Sequence, residues 1–489
     1  MKRFATLACA ALALGTAAAQ EGADSFALGT LGARDGALPR DLWQGAEPEA
    51  VGALLRALPR SYAEPAFLDL ARRVLLTPGA APAGATNALA GDKLLAAAEL
   101  GFYREAGELA ELAPGLSGEP ALSKVAALSA LLDGEVREAC ARGAELTRGR
   151  ADPFFLRLRF LCYVETGENA AADLTLGLLS NQDMLSEGDA RVFTALLASG
   201  SLGAQVSPED AFQYAAAAML GAEVTPDAVP ELPGAVLAAV ARDAEAGPSL
   251  REAALIRALA RGLIGAEEGS RLAGDLAGTT LADDAVAVAA VPARSPEQAA
   301  ALAEALRGAG DWPGFRARAA LFARQLTALP PDAPTAEDAG LIALGAMTVG
   351  ADAAPRLAQV EDEALRARLS ALAATEPGEL PLEDRLAATP MDLGSLVQGA
   401  LSAAASRSAG AAALAGLTGL GVAAEGQAEE ARAALTAAML ARSGQADALA
   451  RRVAFDAAGA EALASITGGP VAGREGQTGD PLPRLKPTP

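Results

Sequence analysis

Gly101, Gly134 and Gly167 stand 33 residues apart, and each is followed five positions later by an alanine: Ala106, Ala139 and Ala172. The segments read Gly101-Phe-Tyr-Arg-Glu-Ala106, Gly134-Glu-Val-Arg-Glu-Ala139 and Gly167-Glu-Asn-Ala-Ala-Ala172. A fixed period of this length marks a stacked repeat whose single unit cannot bury its own apolar face. Glycine leaves a helix in the left-handed conformation without steric cost. Alanine early in the next helix lets two backbones approach. The positions seven before each glycine (Leu94, Ala127, Phe160) and twelve after it (Ala113, Leu146, Leu179) form the apolar faces of the first and second helices. The ladder therefore predicts an all-α chain, an α-solenoid of stacked antiparallel helix hairpins, an architecture used mostly to hold other proteins. Gly200 continues the period, but residue 205 is Gln, so the fourth unit has drifted.

Composition agrees with helix. The chain is rich in Ala and Leu, which lead the helix-propensity scale, and only 4% of it is aromatic. The N-terminus reads as a processing signal. Lys2 and Arg3 precede a short apolar run, Phe4 to Gly15, and Ala17-Ala18-Ala19 offers a small-residue cleavage site. That run falls short of the ~20 apolar residues needed to cross a bilayer. Cleavage after Ala19 yields an exported, periplasmic chain; the competing reading, lipidation at Cys9, leaves too few apolar residues before the cysteine.

Charge and residue usage narrow the chemistry. The net charge is −21, with lysine only at positions 2, 93, 124 and 486. Phosphate backbones and anionic lipid surfaces are held by clustered Lys and Arg, so neither nucleic acid nor a membrane surface is an expected partner. Histidine is absent, which removes Ser-His-Asp and Cys-His nucleophile systems and every His-containing zinc or haem site. Two cysteines after cleavage cannot build a thiolate metal cage, and only carboxylate-based or Ser/Lys-type chemistry remains open. The chain is expected to be non-catalytic, with no cofactor and no metal.

Cys140 and Cys162 are the only thiols downstream of the signal, and an even pair in an exported chain suggests a disulfide. Helices are expected at 134–148 and 154–166, with the midpoint of the two cysteines, Ala151, inside the turn between them. In an antiparallel hairpin both thiols then sit at matching heights, and a bond would stabilise the hairpin by ~3 kcal/mol. The alternative is a pair of buried free thiols.

Along the chain, 1–19 is the signal peptide and 20–45 an extended arm docked by Trp43. Residues 46–205 hold the repeats, opening with helices at 47–58 and 64–76. Degenerate helical repeats follow over 206–390, with helices at 208–221, 233–246, 249–264, 266–276 and 316–328. Gly310-Asp-Trp312-Pro-Gly-Phe315 reads as one more helix-pair turn. Proline-bearing breaks fall at 330–334 and 374–391. Helical hairpins are expected over 391–467, including a turn at Gly444–Ala448, and a disordered tail over 468–489.

Glycine followed by Phe/Tyr/Val-x-Glu-Ala, as in Gly101–Ala106 and Gly134–Ala139, resembles the turn and second-helix start of the tetratricopeptide repeat. The match at Gly167–Ala172 is looser, the period is one residue short, and the early tryptophan of that family is missing. The resemblance covers residues 90–200 and implies a fold, not an activity. The wider layout resembles alanine-rich exported proteins of proteobacteria, from which no chemistry carries over.

Gly416-Leu-Thr-Gly419-Leu-Gly421 imitates a phosphate loop, but it follows a helical stretch with no strand before it, so it reads as a close-packed or loosened helix pair. Glu361-Asp-Glu363 reads as a solvated face, with Arg366 spaced for a surface ion pair with Glu363. The expected function is a periplasmic scaffold or adaptor whose inner surface, lined by the first helices, holds a protein partner of the cell envelope. Phe102, Tyr103, Phe155 and Tyr163 are the candidate partner anchors. The alternatives are a structural subunit of an envelope machine, such as a motor or secretion apparatus, and a cell-wall glycan-acting enzyme. The enzyme reading lacks the Glu-Ser pair such enzymes carry.

Overall fold

The computed structural model describes residues 24–468 except 63, 199, 201–205, 223, 374–407, 421–435, 437, 438 and 441. The expected signal peptide 1–19, the break at 374–391 and the tail beyond Gly468 lie outside the described residues.

Every described element is helical, and no strand occurs among the described residues. In chain order the helices are α1 (Pro48–Arg56), α2 (Pro65–Leu76), α3 (Asn87–Ala97), α4 (Tyr103–Leu112), α5 (Pro120–Leu132) and α6 (Val136–Glu145). Next come α7 (Pro153–Glu165), α8 (Asn169–Asn181), α9 (Glu187–Leu197), α10 (Ala211–Met219), α11 (Gly234–Arg242) and α12 (Pro248–Arg261). They are followed by α13 (Ala266–Gly274), α14 (Thr280–Ala290), α15 (Pro296–Arg307), α16 (Trp312–Leu321) and α17 (Ala323–Ala328). The last are α18 (Ala336–Thr348), α19 (Ala354–Leu357), α20 (Glu363–Ala373), α21 (Ala409–Leu420) and α22 (Ala446–Thr467). Many begin on proline, which lacks the N–H that a first turn leaves unpaired anyway. Pro153, read from sequence as part of a turn, is thus the first residue of α7. Others are capped by side chains, as Thr86 accepts from Leu89 N and Asp311 from Gly314 N.

The chain divides into two compact units, Met1–Ile264 with Pro377–Ala450 and Gly265–Glu376 with Arg451–Pro489. In the first unit, sequence neighbours pack on one another, and the helices separate into covered and outward members. Nine of the 13 residues of α5 are buried, but only Ala139 in α6 and Ala172, Thr175 and Leu179 in α8. All six ladder positions expected to be apolar faces, Leu94, Ala127, Phe160, Ala113, Leu146 and Leu179, are buried.

The ladder glycines have positive φ: 118° at Gly101, 78° at Gly134 and 76° at Gly167. At Gly134 the Glu135 N–H reaches back to the Ala130 carbonyl (2.8 Å) and the Gly134 N–H to Leu131 (3.2 Å). The same pair recurs at Gly167, where Glu168 donates to Tyr163 and Gly167 to Val164. Both are Schellman closures that consume carbonyls a helix end leaves open. Ala106, Ala139 and Ala172 are fully buried behind them.

Gly101 differs from the other two. It lies in a π segment, Ala98–Phe102, that joins α3 to α4 through a kink. A Cβ there would stand 2.6 Å from Leu263 Cδ2 and 2.9 Å from the Gly234 carbonyl oxygen, so backbone from α11 occupies the space.

Cys140 on α6 and Cys162 on α7 form a disulfide, with Cα atoms 5.7 Å apart. It ties down a helix that buries a single residue of its own. The described part of the arm, residues 24–45, packs against the helices. Phe26 and Trp43 are buried edge to face at 5.4 Å, Thr30 and Leu31 donate to the Leu76 carbonyl, and Gly410 N donates to Leu42 O at 2.8 Å.

Gly416 and Gly419 lie in α21, whose residues from Gly410 to Leu420 are all buried. A Cβ on Gly416 would meet Leu440 at 2.7 Å, and Gly419 faces Thr436. This is close helix packing. Asp362 caps α20 by accepting from Leu365 N at 3.0 Å, while Arg366 donates to the Val360 carbonyl.

In the second unit, Gly310 takes φ 75°, Asp311 caps α16, and Trp312 stacks on Phe315 at 5.5 Å; here a side chain caps the helix, whereas α6 and α8 start without a side-chain cap. Arg316 pairs with Asp456 at 2.8 Å and Arg318 with Asp284 at 2.8 Å, tying α16 to α22 and to α14.

Two ladder substitutions separate conformational cost from packing cost. Gly134→Ala meets open space and pays only for its positive φ, an expected loss of about 1 kcal/mol. Gly101→Ala adds a backbone collision, for about 3 kcal/mol in total. Urea denaturation of both variants measures the difference; equal losses would contradict the packing assigned to Gly101.

Candidate functional surface

Three of the four candidate anchors are core. Phe102 is 1% exposed, Tyr103 0% and Phe155 3%, and only Tyr163 is half-buried. Phe102 lies under the Arg72 guanidinium (5.8 Å) and Tyr103 under that of Arg242 (5.2 Å), while Phe155 packs on Phe154. At the start of each of these helices, α4 for Phe102 and Tyr103 and α7 for Phe155, the apolar side chain turns into the stack, where its burial is worth most. These three residues are corrected from partner anchors to core.

The inner face assigned to a partner is also occupied. α10 and α11 pack on α5, α10 also packs on α7, and α11 packs on the π segment. The first helices of the ladder are therefore covered by helices of the same unit. What remains accessible is the face carried by α4, α6 and α8.

Polar groups inside the unit hold helix ends. Arg157 on α7 donates to Asp189 and Asp210, each at 2.6 Å, and lies 4.2 Å from the centre of the Phe212 ring. Asp189 belongs to the capping box of α9, and Asp210 caps α10, so one guanidinium fixes two helix starts. Gln213 reinforces them by donating to Ser186 and Asp189. Tyr103 donates to Asp133 at 3.2 Å, and burial pushes its phenol up to about 12. Tyr214 donates to Asp243 at 2.9 Å; burial, then the Asp243 charge, raises its pKa.

Lys93 is fully buried, donating to the carbonyls of Phe26 (2.5 Å) and Leu28 (2.8 Å), with its amine 4.7 Å from the Phe26 ring centre. Desolvation lowers its pKa to about 7. This clasp fastens the arm to α3 and faces no solvent. Among the described residues, no group of three or more Cys, Asp or Glu could hold a metal.

The outward face has its own register. Three residues after each ladder glycine stand Arg104, Arg137 and Ala170. Arg104 pairs with Asp133 at 2.6 Å and Arg137 with Glu165 at 2.8 Å, so each arginine reaches an acid close to the next ladder glycine. Each such exposed pair is worth ~0.5 kcal/mol. At the third rung alanine replaces the arginine. Four residues further the series is Glu108, Ala141, Leu174, and four beyond that Leu112, Glu145, Leu178.

Ala170, Leu174 and Leu178 thus form one row on α8, four residues apart. They lie opposite the buried row of Ala172, Thr175 and Leu179. Leu174 is 76% exposed and Leu178 41%. Leu112 (71%) and Val286 (67%) are exposed singly, whereas α8 has two leucines on adjoining turns. Sequence reading missed this row because α8 is apolar on both sides. Comparing equivalent positions across the three rungs would have found it, since only the third loses its charges.

No protein-family model, curated protein or solved structure matches the chain. No described helix is long and apolar enough to cross a membrane.

The Lys93 clasp has a pH signature. An unfolded lysine keeps its proton to about 10.5, whereas folded Lys93 releases it at about 7. Between those values the unfolded chain binds more protons, so this residue makes stability rise with pH. From pH 7 to 9, wild type should gain up to about 2 kcal/mol relative to Lys93→Met. Urea midpoints of the two proteins at both pH values check the sign; a parallel pH dependence would refute it.

Proposed function

We propose that the chain is a non-catalytic helical-repeat scaffold of the cell envelope, with hairpins stacked in tetratricopeptide-like fashion and a protein partner held on the outward helix face. The recurring Schellman turns at Gly134 and Gly167, and the buried alanines behind them, support the stacked-hairpin reading. The Cys140–Cys162 bond supports export, because disulfides persist in oxidising compartments. The observation that carries the proposal is the exposed row Ala170–Leu174–Leu178, placed where the two preceding rungs present charge or a single apolar residue. Two neighbouring leucines left in water cost free energy that a partner recovers by covering them.

Site-specific photo-crosslinking in intact cells tests the reading. A crosslinker at position 174 or 178 should trap a discrete protein adduct, and one at the equivalent charged position, 108, should trap little. Absence of any adduct from 174 and 178 at native abundance would remove the basis for the scaffold.

A further inference from the structure

The charges around the leucine row indicate what kind of protein segment covers it. From Thr166 to Ala190 the chain carries no Lys or Arg, but it carries Glu168, Asp173, Asp183, Glu187 and Asp189. Asp189 is committed to Arg157, while the other four are exposed. Glu168 and Asp173 flank Ala170 and Leu174, and Asp183 and Glu187 follow the C-terminal end of α8. An apolar row bordered only by carboxylates within its own stretch is complementary to apolar residues set among cations.

The backbone of α8 narrows the geometry. Its amides are engaged within the helix, so it offers no edge to an extended strand. Its surface instead provides a ridge of residues four apart, and beside that ridge is Gly177, where an added Cβ would meet nothing within 4 Å. A ridge next to a shallow groove is what a second helix packs against. A second copy of this chain fits poorly. A two-fold contact would set this acidic border against the same acidic border of the other copy, in a chain of net charge −21.

Building on the scaffold reading, we infer that α8 receives a basic amphipathic helix of a different protein. Apolar side chains of that helix cover Leu174 and Leu178, and its Lys or Arg side chains reach Glu168, Asp173, Asp183 and Glu187. The leucines set the position and the carboxylates set the sign of charge accepted.

Fluorescence anisotropy on the purified full chain tests this with three labelled synthetic peptides: a leucine–lysine amphipathic helix, its leucine–glutamate counterpart and a leucine-free lysine peptide. The leucine–lysine helix should bind, and the other two should bind at least about tenfold more weakly. Leu174→Ser with Leu178→Ser should weaken the leucine–lysine helix by about tenfold or more. Asp173→Asn should weaken it less and flatten its salt dependence, and Val286→Ser should leave it unchanged. Thermal unfolding of each variant should match wild type, because the altered side chains are exposed. Equal binding by the leucine–serine double variant, or equal binding of the glutamate helix, overturns the inference. So does leucine-dependent self-association in sedimentation, which would make the occupant a second copy. If the peptides fail while adducts from position 174 persist in cells, the basic helix is excluded and the scaffold stands. Loss of both removes the two together.

Discussion

How closely two helices approach is set by the smallest side chains between them, and the first unit depends on that limit. A Cβ on Gly91 of α3 would lie 2.7 Å from the Ala121 carbonyl carbon and 2.9 Å from Leu122 N at the start of α5. One on Gly107 would lie 2.5 Å from Ser129 Oγ. Gly101 and Gly234 meet backbone to backbone. At such distances interiors pack near crystal density, and added atoms force whole helices apart. The same approach brings α11 onto the π segment at Gly101. The abundance of alanine and glycine is thus the structural basis of this unit as well as a helix-forming composition.

The 33-residue period was legible because it rests on local chemistry. At Gly134 and Gly167 a left-handed glycine and the two hydrogen bonds that close over it need no information from elsewhere in the chain. The cysteine pair was legible for the same reason, since its spacing brackets one turn. The aromatics were misread because helical spacing does not say which face meets solvent, and Phe102, Tyr103 and Phe155 face inward. The covering of the first helices by α10 and α11 was invisible. It depends on contacts between residues far apart in sequence, such as Gly101 with Gly234. The leucine row on α8 stayed hidden behind a second apolar face, and only comparison of like positions along the ladder separates the two.

Charge is used in two distinct ways. Inside, a few cations each serve several acceptors: Arg157 joins two helix starts, and Lys93 clasps two carbonyls of the arm. Removing one partner of such a group leaves the rest buried and unpaired, which costs far more than an exposed pair contributes. Outside, Arg104 and Arg137 make shallow inter-rung pairs that keep the outward face polar. Where that series lapses, at Ala170, the surface changes character.

The arm and α21 have a consequence for the order in which the chain can assemble. The Ser408 hydroxyl and the Gly410 amide both bond the Leu42 carbonyl, and Tyr62 donates to Leu417, closing loops of more than 350 residues. Contacts of such sequence separation form late, because their loop entropy is lost before they return anything. During synthesis or threading, Trp43 therefore waits for its last neighbours until residues past 408 have emerged. Until then the apolar surface around Leu42 and Trp43 that Gly410 covers stays open to water.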